Sequence, residues 1–305
     1  MLLPLTSMAR ALRSWFFLLM PVRSSHSRDQ LLQAGSSVSS HALTSMRADH
    51  WRESFMEAAL LGLFMVSACS MTALLQLSSS PLRQAIPAAF LRRAVTGAAM
   101  GLTAIALIYS PWGQRSGAHM NPSVTLSFYR LGMIRGSDAT LYIIGQFVGA
   151  VIGVLLAGFI LRGILARPEI RFAGTHPGAT GIWVALVAEF LISFLMMSMV
   201  LHVSNHVQLS RYTGVIAGIL VATYIAFEAP YSGMSMNPAR SFASAVPSGI
   251  WMDLWIYILA PPVGMLVAAE MYVHLRPDSP VKCCKVYHNP NKRCTFCGMN
   301  GDLHE

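Results

Sequence analysis

The sequence predicts an all-α membrane protein with six transmembrane helices and two re-entrant half-helices, arranged as inverted three-span repeats. Three observations lead to this prediction. Hydrophobic residues make up 54% of the chain and charged residues only 11%, against roughly 25% charged residues in an ordinary soluble domain. Residues 139–161 carry no charge and form a segment long enough to cross a hydrocarbon core about 30 Å thick. A short motif, Met-Asn-Pro followed by a small residue, occurs twice.

Six apolar segments are the predicted spans. They cover residues 54–77, 88–109, 138–161, 181–201, 212–227 and 254–273. The first and the fourth each contain a single acidic residue, Glu57 and Glu189. An even number of spans places both ends of the chain on one side of the membrane. The Lys- and Arg-rich C-terminal tail indicates that this side is the cytoplasm.

The two halves of the chain are related by an internal repeat. YIIGQFVGAVIG at 142–153 matches YILAPPVGMLVA at 257–268, TGAAMG at 96–101 matches TGVIAG at 213–218, and MNPS at 120–123 matches MNPA at 236–239. All three pairs are separated by nearly the same number of residues. Because each half has three spans, an odd number, the second half must enter the membrane upside down relative to the first.

Each Met-Asn-Pro motif lies in an uncharged segment too short to cross the membrane. Asn is a preferred N-cap and Pro fits the first helical turn, so the motifs predict two half-helix starts that meet at the membrane midplane. The residues concerned are Asn121, Pro122 and Ser123 in the first repeat and Asn237, Pro238 and Ala239 in the second. We expect both amide hydrogens of each Asn to face a cavity. Two positive helix ends there would exclude cations and admit small neutral molecules.

The motifs also resemble those of a known family. SGAHMNPSVTL and SGMSMNPARSF are similar to the two signature loops of the major intrinsic protein family, the aquaporins and glycerol facilitators. The resemblance covers about residues 50–275 and includes the Glu in the first span of each repeat. It implies an aquaporin-like, right-handed bundle of six tilted helices and two half-helices, with a pore in each subunit of a homotetramer. Ser123 stands where the family usually has Ala, a small change that we expect to be tolerated.

The resemblance divides the chain into three parts. They are an N-terminal tail, 1–50, expected to be disordered; a channel domain, 51–275, with repeats 51–163 and 178–275; and a Cys-rich C-terminal tail, 276–305. The alternatives for residues 1–45 are a targeting segment or an upstream start that precedes the natural one at Met46. We expect the protein in the plasma or inner membrane, with both termini cytoplasmic.

The resemblance also implies a selectivity filter. Arg240, directly after the second motif, would lie at the narrowest point, repel cations and donate hydrogen bonds to the solute; the alternative is an Arg at the membrane interface. Distance from the motifs places Ile225 and Met234 beside it, with Met100 or Gly101 from the second span, of which MGL at 100–102 favours Met100. Water-selective members typically have His at the position of Ile225. The apolar walls predicted here suit solutes with CH groups, such as glycerol or urea.

We therefore predict a passive channel for water and small uncharged solutes that excludes ions and protons. The alternatives are a glycerol- or urea-type facilitator with little water selectivity and a structural or junctional membrane protein of low conductance. Ser241 and Ala245 resemble the water-channel branch. We expect no enzymatic activity, because the predicted spans contain no cluster of acids, His or Cys at one depth. The net charge of +9 is scattered over loops and ends and indicates no nucleic-acid partner.

Glu57, Glu189 and His119 are predicted to support the re-entrant loops. Backbone at membrane depth needs hydrogen-bond partners, and the two carboxylates would accept from the loop of their own repeat. The alternative is that the acids carry protons in an ion-coupled transporter. His119 directly precedes the first motif and is expected to pack and hydrogen-bond there; the alternative is gating by protonation.

Four of the five cysteines lie in the C-terminal tail. Cys283, Cys284, His288, Cys294 and Cys297, with His304 nearby, are candidate ligands of a zinc ion. Acylation near the membrane and a redox-sensitive tail are the alternatives. We expect the channel itself to need no cofactor. Cys69 lies in an apolar run and is predicted to be a packing residue.

Overall fold

The computed structural model describes residues 40–289, 294, 296 and 297, with side chains from residue 51 onward. Within these residues every regular element is a helix, and there is no β-strand. The α-helices are α1 Ser40–Gln76, α2 Pro81–Ala85, α3 Ala89–Tyr109, α4 Pro111–Ser116, α5 Pro122–Arg130, α6 Gly136–Ile160, α7 Ile182–Ser204, α8 Thr213–Phe227, α9 Ala229–Ser232, α10 Pro238–Ser248 and α11 Leu254–Leu275. The all-α prediction is confirmed.

The first helix begins inside the tail that we expected at residues 1–50. Helix α1 starts at Ser40, so the last part of that tail is helical rather than disordered. Extending an existing helix upstream requires no new nucleus, and the apolar first span supplies that nucleus. The rest of the expected tail lies outside the described residues.

Six helices of the described chain are long and apolar enough to cross a membrane. They are Trp51–Gln76 within α1, α3, α6, α7, Ser210–Phe227 including α8, and α11, and they agree with the predicted spans to within a few residues. Their outward faces carry large exposed hydrophobic side chains: Phe159 is 83% exposed, Trp183 68% and Leu102 66%. Such a surface suits contact with acyl chains.

The helices pack as two matching halves. Helix α1 packs along α6 in the first repeat, α7 packs along α11 in the second, and α3 packs along α8 between them. The half-helix α5 contacts α6 and α11, and the half-helix α10 contacts the same two helices. This correspondence is the arrangement expected of an inverted repeat.

Glycines bring the paired helices into backbone contact. A Cβ built on Gly149 of α6 would lie 2.0 Å from the carbonyl oxygen of Ala58 on α1. On α3, a Cβ at Gly97 would lie 2.4 Å from the carbonyl oxygen of Ala222 on α8. Small residues permit this close packing, which drives helix association where lipid supplies no hydrophobic force.

The two half-helices are the re-entrant elements. Helix α5 has 9 residues and α10 has 11. At about 1.5 Å per residue, each reaches roughly half of a hydrocarbon core about 30 Å thick. An ion pair of 2.7 Å between Arg130 and Glu270 ties the last turn of α5 to α11. Both half-helices begin in the protein interior, at buried prolines.

We predict that Gly149→Ala lowers the thermal unfolding midpoint of the purified protein, whereas Gly158→Ala does not. The new methyl group at position 149 would overlap backbone atoms, and overpacking costs about 1–3 kcal/mol. A Cβ at Gly158, on the same helix, meets only a ring carbon of Phe172 at 3.6 Å, an ordinary contact. Equal midpoints for the two variants would contradict the close approach of α1 and α6.

Candidate functional site

Each half-helix begins with a capped asparagine. The Oδ1 atom of Asn121 accepts a hydrogen bond from the backbone N–H of Ser123 at 2.9 Å. The Oδ1 atom of Asn237 accepts from the N–H groups of Ala239 and Arg240 at 3.1 and 3.3 Å. These bonds satisfy donors that a helix start otherwise leaves unpaired, and they orient the two amide groups.

The two asparagines also bind across the repeat boundary. The Nδ2 atom of Asn121 donates to the carbonyl of Met236, and the Nδ2 atom of Asn237 donates to the carbonyl of Met120, both at 2.7 Å. We expected both amide hydrogens of each Asn to face the cavity, but these bonds occupy one of the two. The physical reason is that a carbonyl buried at membrane depth needs a donor. Each Asn keeps one N–H for a solute.

The loops that lead into the half-helices have the same unusual backbone. Ala118 and Met120 have φ angles of 53° and 46°, and the corresponding Met234 and Met236 have 52° and 55°. A non-glycine residue in this left-handed region costs on the order of 1–3 kcal/mol and persists only where surrounding contacts enforce it. The chain therefore supplies strong contacts to both loops.

Glu57 supplies those contacts in the first repeat. Its Oε1 atom accepts from the Ser116 hydroxyl at 2.7 Å and from the N–H of His119 at 3.0 Å. Its Oε2 atom accepts from the N–H of Met120 at 2.5 Å and from the Gln146 amide at 3.0 Å. The Glu57 side chain is fully buried. All its partners are donors, which suits an anchoring acceptor.

Glu189 does the same in the second repeat. It accepts from the Ser232 hydroxyl and from the N–H groups of Ser235 and Met236, each at 2.7 Å. The hydroxyl of Tyr257 donates to the Ser232 carbonyl at 2.5 Å and so fixes the other side of the loop. Both acids thus contact the loops that sequence analysis assigned to them.

One cavity of about 480 Å³ runs past the half-helix starts. Asn121 and Asn237 both line it. We name two groups of its lining residues: Arg240, His176 and Arg171 form the Arg240 end, and Ala118, His119 and Val286 form the tail end.

The predicted filter residues line this cavity, with one exception. Met100, Ile225, Met234 and Arg240 are all part of its lining. Gly101, the alternative to Met100, faces α8 instead, where its Cβ would lie 2.4 Å from the carbonyl oxygen of Gly218. The predicted filter residues therefore give the lining one cationic side chain and three thioether or aliphatic side chains.

His176 is a cavity residue that sequence analysis missed. It lies in the loop between α6 and α7, lines the Arg240 end and packs against Gly233 of the second re-entrant loop. Burial, followed by the nearby charge of Arg171, lowers the pKa of His176. The imidazole is therefore neutral at neutral pH and adds a polar group rather than a charge. Nothing in the sequence around His176 marks it as a cavity residue, because it is a single His in a loop without a motif.

Glu228, just beyond α8, also lies near Arg240. Burial raises the pKa of Glu228 to about 7. The Glu228 carboxyl is therefore only partly ionised at neutral pH. In its ionised form it attracts the Arg240 guanidinium.

Hydrogen bonds and ring contacts hold the His119 side chain at the tail end. Nε2 donates to the carbonyl of Cys284 at 2.7 Å, and Nδ1 pairs with the hydroxyl of Thr125 at 3.0 Å. The ring stacks on Phe128, with 5.1 Å between centroids. Because a carbonyl can only accept, the proton of the neutral imidazole lies on Nε2. These contacts agree with the packing role that we predicted.

The C-terminal tail docks at this end of the cavity. The N–H of Val286 donates to the carbonyl of Gly117 at 3.0 Å, and Nζ of Lys285 donates to the carbonyl of Gln114 at 2.7 Å. Sequence analysis gave no indication of this docking. Of the tail candidates, Cys283, His288, Cys294 and Cys297 lie together, whereas Cys284 is not part of that group. His304 lies outside the described residues.

Comparison with known proteins gives one family. The sequence profile described as "Major intrinsic protein" matches residues 44–272. Aquaporin NIP2-3 from Zea mays is 38% identical over 180 residues, which cover 58% of this chain and 56% of that protein. Probable aquaporin NIP7-1 from Arabidopsis thaliana is 34% identical over 220 residues, 70% of this chain and 74% of that protein. The matched region thus spans little more than half of the maize relative.

The fold also matches a solved structure. The X-ray structure of the aquaglyceroporin from Plasmodium falciparum superposes with a TM-score of 0.59 at 18% sequence identity, covering 73% of this chain and 95% of that one. This likeness supports the arrangement of helices, and the six-helix, two-half-helix architecture is confirmed.

We predict that Glu57→Gln lowers the free energy of unfolding by about 1–3 kcal/mol. The substitution replaces one carboxylate oxygen, an acceptor, by an amide N–H₂ group, which leaves buried donors of the loop without an acceptor. The measurement is the thermal midpoint of the purified protein. The matched control is Glu169→Gln, an exposed acid bonded to the Ser78 hydroxyl at 2.7 Å, which is expected to change the midpoint little. Unchanged stability of Glu57→Gln would contradict the anchoring role.

Proposed function

Because the chain belongs to the major intrinsic protein family, we propose that this multi-pass membrane protein is a passive channel for water and small uncharged solutes. One observation carries the proposal. Two asparagine-capped half-helix starts line a single cavity, and each asparagine amide has a second N–H beyond the one it donates to the opposite loop. A neutral solute with an oxygen acceptor can exchange hydrogen bonds with water for bonds with these donors as it passes.

Ion exclusion follows from the charges along the path. Each half-helix start carries a partial positive charge of about half a unit. Arg240 adds a positive charge to the cavity lining, and the nearby Glu228 offsets it only in part, because burial raises the pKa of Glu228 to about 7. A cation in a narrow path of low dielectric already loses most of its hydration, and these positive groups raise its barrier further. We propose no catalytic activity.

The filter favours a solute range broader than water. Met100, Ile225 and Met234 give apolar surface to the cavity that Arg240 also lines. Apolar walls lower the cost of admitting CH groups, while one donor orients a hydroxyl or carbonyl. This composition supports a second candidate function, a facilitator of glycerol or urea with little water selectivity.

We further propose a homotetramer in the plasma or inner membrane, with both termini cytoplasmic. The even number of candidate spans in the described chain supports a common side for the two termini. The large apolar side chains on the outward faces support burial in lipid or against further copies of the chain. Chemical crosslinking in native membranes tests the assembly, and protease access to a C-terminal tag in sealed vesicles tests the side.

We predict that proteoliposomes containing the protein swell faster than empty liposomes in stopped-flow measurements with water, glycerol and urea. Solute flux is expected to be independent of an imposed proton gradient, because Glu57 and Glu189 are occupied as loop acceptors. Water flux without glycerol or urea flux would reject the broad filter. Background permeability to all three would support the structural alternative.

We predict that Arg240→Ala admits cations. A barrier to cation passage that is lower by about 1.4 kcal/mol raises the rate of cation entry about tenfold. We expect removal of the Arg240 charge to lower the barrier by at least this amount. A fluorescent assay of cation entry into proteoliposomes measures this rate. Ile225→His serves as the contrasting variant: a larger polar side chain at the same cavity is expected to reduce glycerol flux and spare water. Unchanged ion exclusion in Arg240→Ala would contradict the filter.

A further inference from the structure

Three cysteines and one histidine form a cluster in the docked tail. The side-chain ligand atoms of Cys283, His288, Cys294 and Cys297 all lie within 4.8 Å of one another. None of the four lines the cavity, so the channel function does not account for them. Cys283, Cys294 and His288 are buried, with 8%, 3% and 8% of their surface exposed.

Two distances inside the cluster are close to the edges of a tetrahedral metal site. The Sγ atoms of Cys283 and Cys294 are 3.6 Å apart, and Sγ of Cys297 is 3.4 Å from Nε2 of His288. Ligands placed about 2.3 Å (sulfur) and about 2.0–2.1 Å (nitrogen) from zinc have tetrahedral edges of roughly 3.8 and 3.6 Å. The sulfur–sulfur distance is far longer than the roughly 2.05 Å of a disulfide bond.

We propose that these four residues bind one Zn²⁺ ion as a closed structural site. Three thiolates and one imidazole complete a tetrahedron and leave no open position, which is the pattern of structural rather than catalytic zinc. Soft sulfur ligands also select zinc over calcium and magnesium. The bound ion and three thiolates carry a net charge of −1, and the positively charged Nζ of Lys285 lies 5.7 Å from the ring centroid of Phe296, the residue before Cys297.

The ligands enclose the segment that contacts the channel. Cys284, Lys285 and Val286 lie between the first two ligands and make the contacts to His119, Gln114 and Gly117. A metal that ties Cys283 to His288 and to the later cysteines fixes the ends of this short segment. The ion therefore acts as a clasp that holds residues 284–286 against the tail end of the cavity.

The buried state of the thiols distinguishes this proposal from its alternatives. Cys283 and Cys294 are poorly exposed to an acylating enzyme or an oxidant. Metal binding is expected to release protons, because the cysteines bind the ion as thiolates.

Metal analysis of the purified full-length protein, prepared with reductant and dialysed against zinc, tests the site. We expect one zinc per chain in the unsubstituted protein and less than a tenth of that in Cys294→Ser and Cys297→Ser. The matched control is Cys284→Ser, adjacent to a ligand but outside the cluster, which is expected to keep one zinc. Absence of zinc from the unsubstituted protein, iron in its place, or equal loss in Cys284→Ser would overturn the proposal.

Cobalt substitution provides a test that needs no variant. Co²⁺ bound to the unsubstituted protein is expected to show sulfur-to-metal charge-transfer absorption and the strong d–d bands of tetrahedral coordination. Weak bands of octahedral cobalt would overturn the assignment. Zinc is also expected to protect three cysteines from alkylation, and a chelator is expected to restore their reactivity.

Hydrogen exchange tests the clasp. The amide of Val286, bonded to Gly117, is expected to exchange at least tenfold faster after chelation, while amides of α6 provide an unchanged internal reference. Exchange of residues 282–289 that does not respond to metal, in protein shown to bind zinc, would overturn the clasp.

Discussion

Backbone that lies outside a regular helix at membrane depth needs a partner for every polar group, and this requirement governs the centre of the molecule. The two re-entrant loops meet it with an acid from their own repeat and an asparagine from the other. Glu57 and Glu189 take the N–H groups, and the crossed amides of Asn121 and Asn237 take the carbonyls. The same bonds hold non-glycine residues at positive φ. The solute path is therefore set by groups that first stabilise the fold.

Features that depend on local composition were predictable from the sequence. The six spans follow from hydropathy, because lipid exposure selects apolar side chains directly. Asn-Pro predicted the half-helix starts, because capping chemistry is local. The acids Glu57 and Glu189 were identifiable because a lone charge in an apolar span requires a reason. The sequence favoured Met100 over Gly101 without excluding Gly101, since neighbours on a helix differ by about 100° in direction and tertiary packing decides which one faces the cavity.

Features that depend on contacts between distant segments were not predictable. His176 approaches Gly233 from another loop, and no periodicity or motif marks it. The bond between His119 and the Cys284 carbonyl joins residues of the first repeat and the tail. The crossed asparagine bonds changed our expectation of how many donors face the solute. The carbonyls of Met120 and Met236 each take one amide hydrogen, and only the positions of both loops together reveal this pairing.

The crossed bonds also bear on the order in which the protein can be assembled. During synthesis the first half-helix emerges long before the second, so Met120 and Asn121 cannot yet find Met236 and Asn237. Until the second repeat is in place, the carbonyl of Met120 and one amide hydrogen of Asn121 lack these partners. Each repeat alone therefore misses hydrogen bonds that its own re-entrant loop requires at membrane depth.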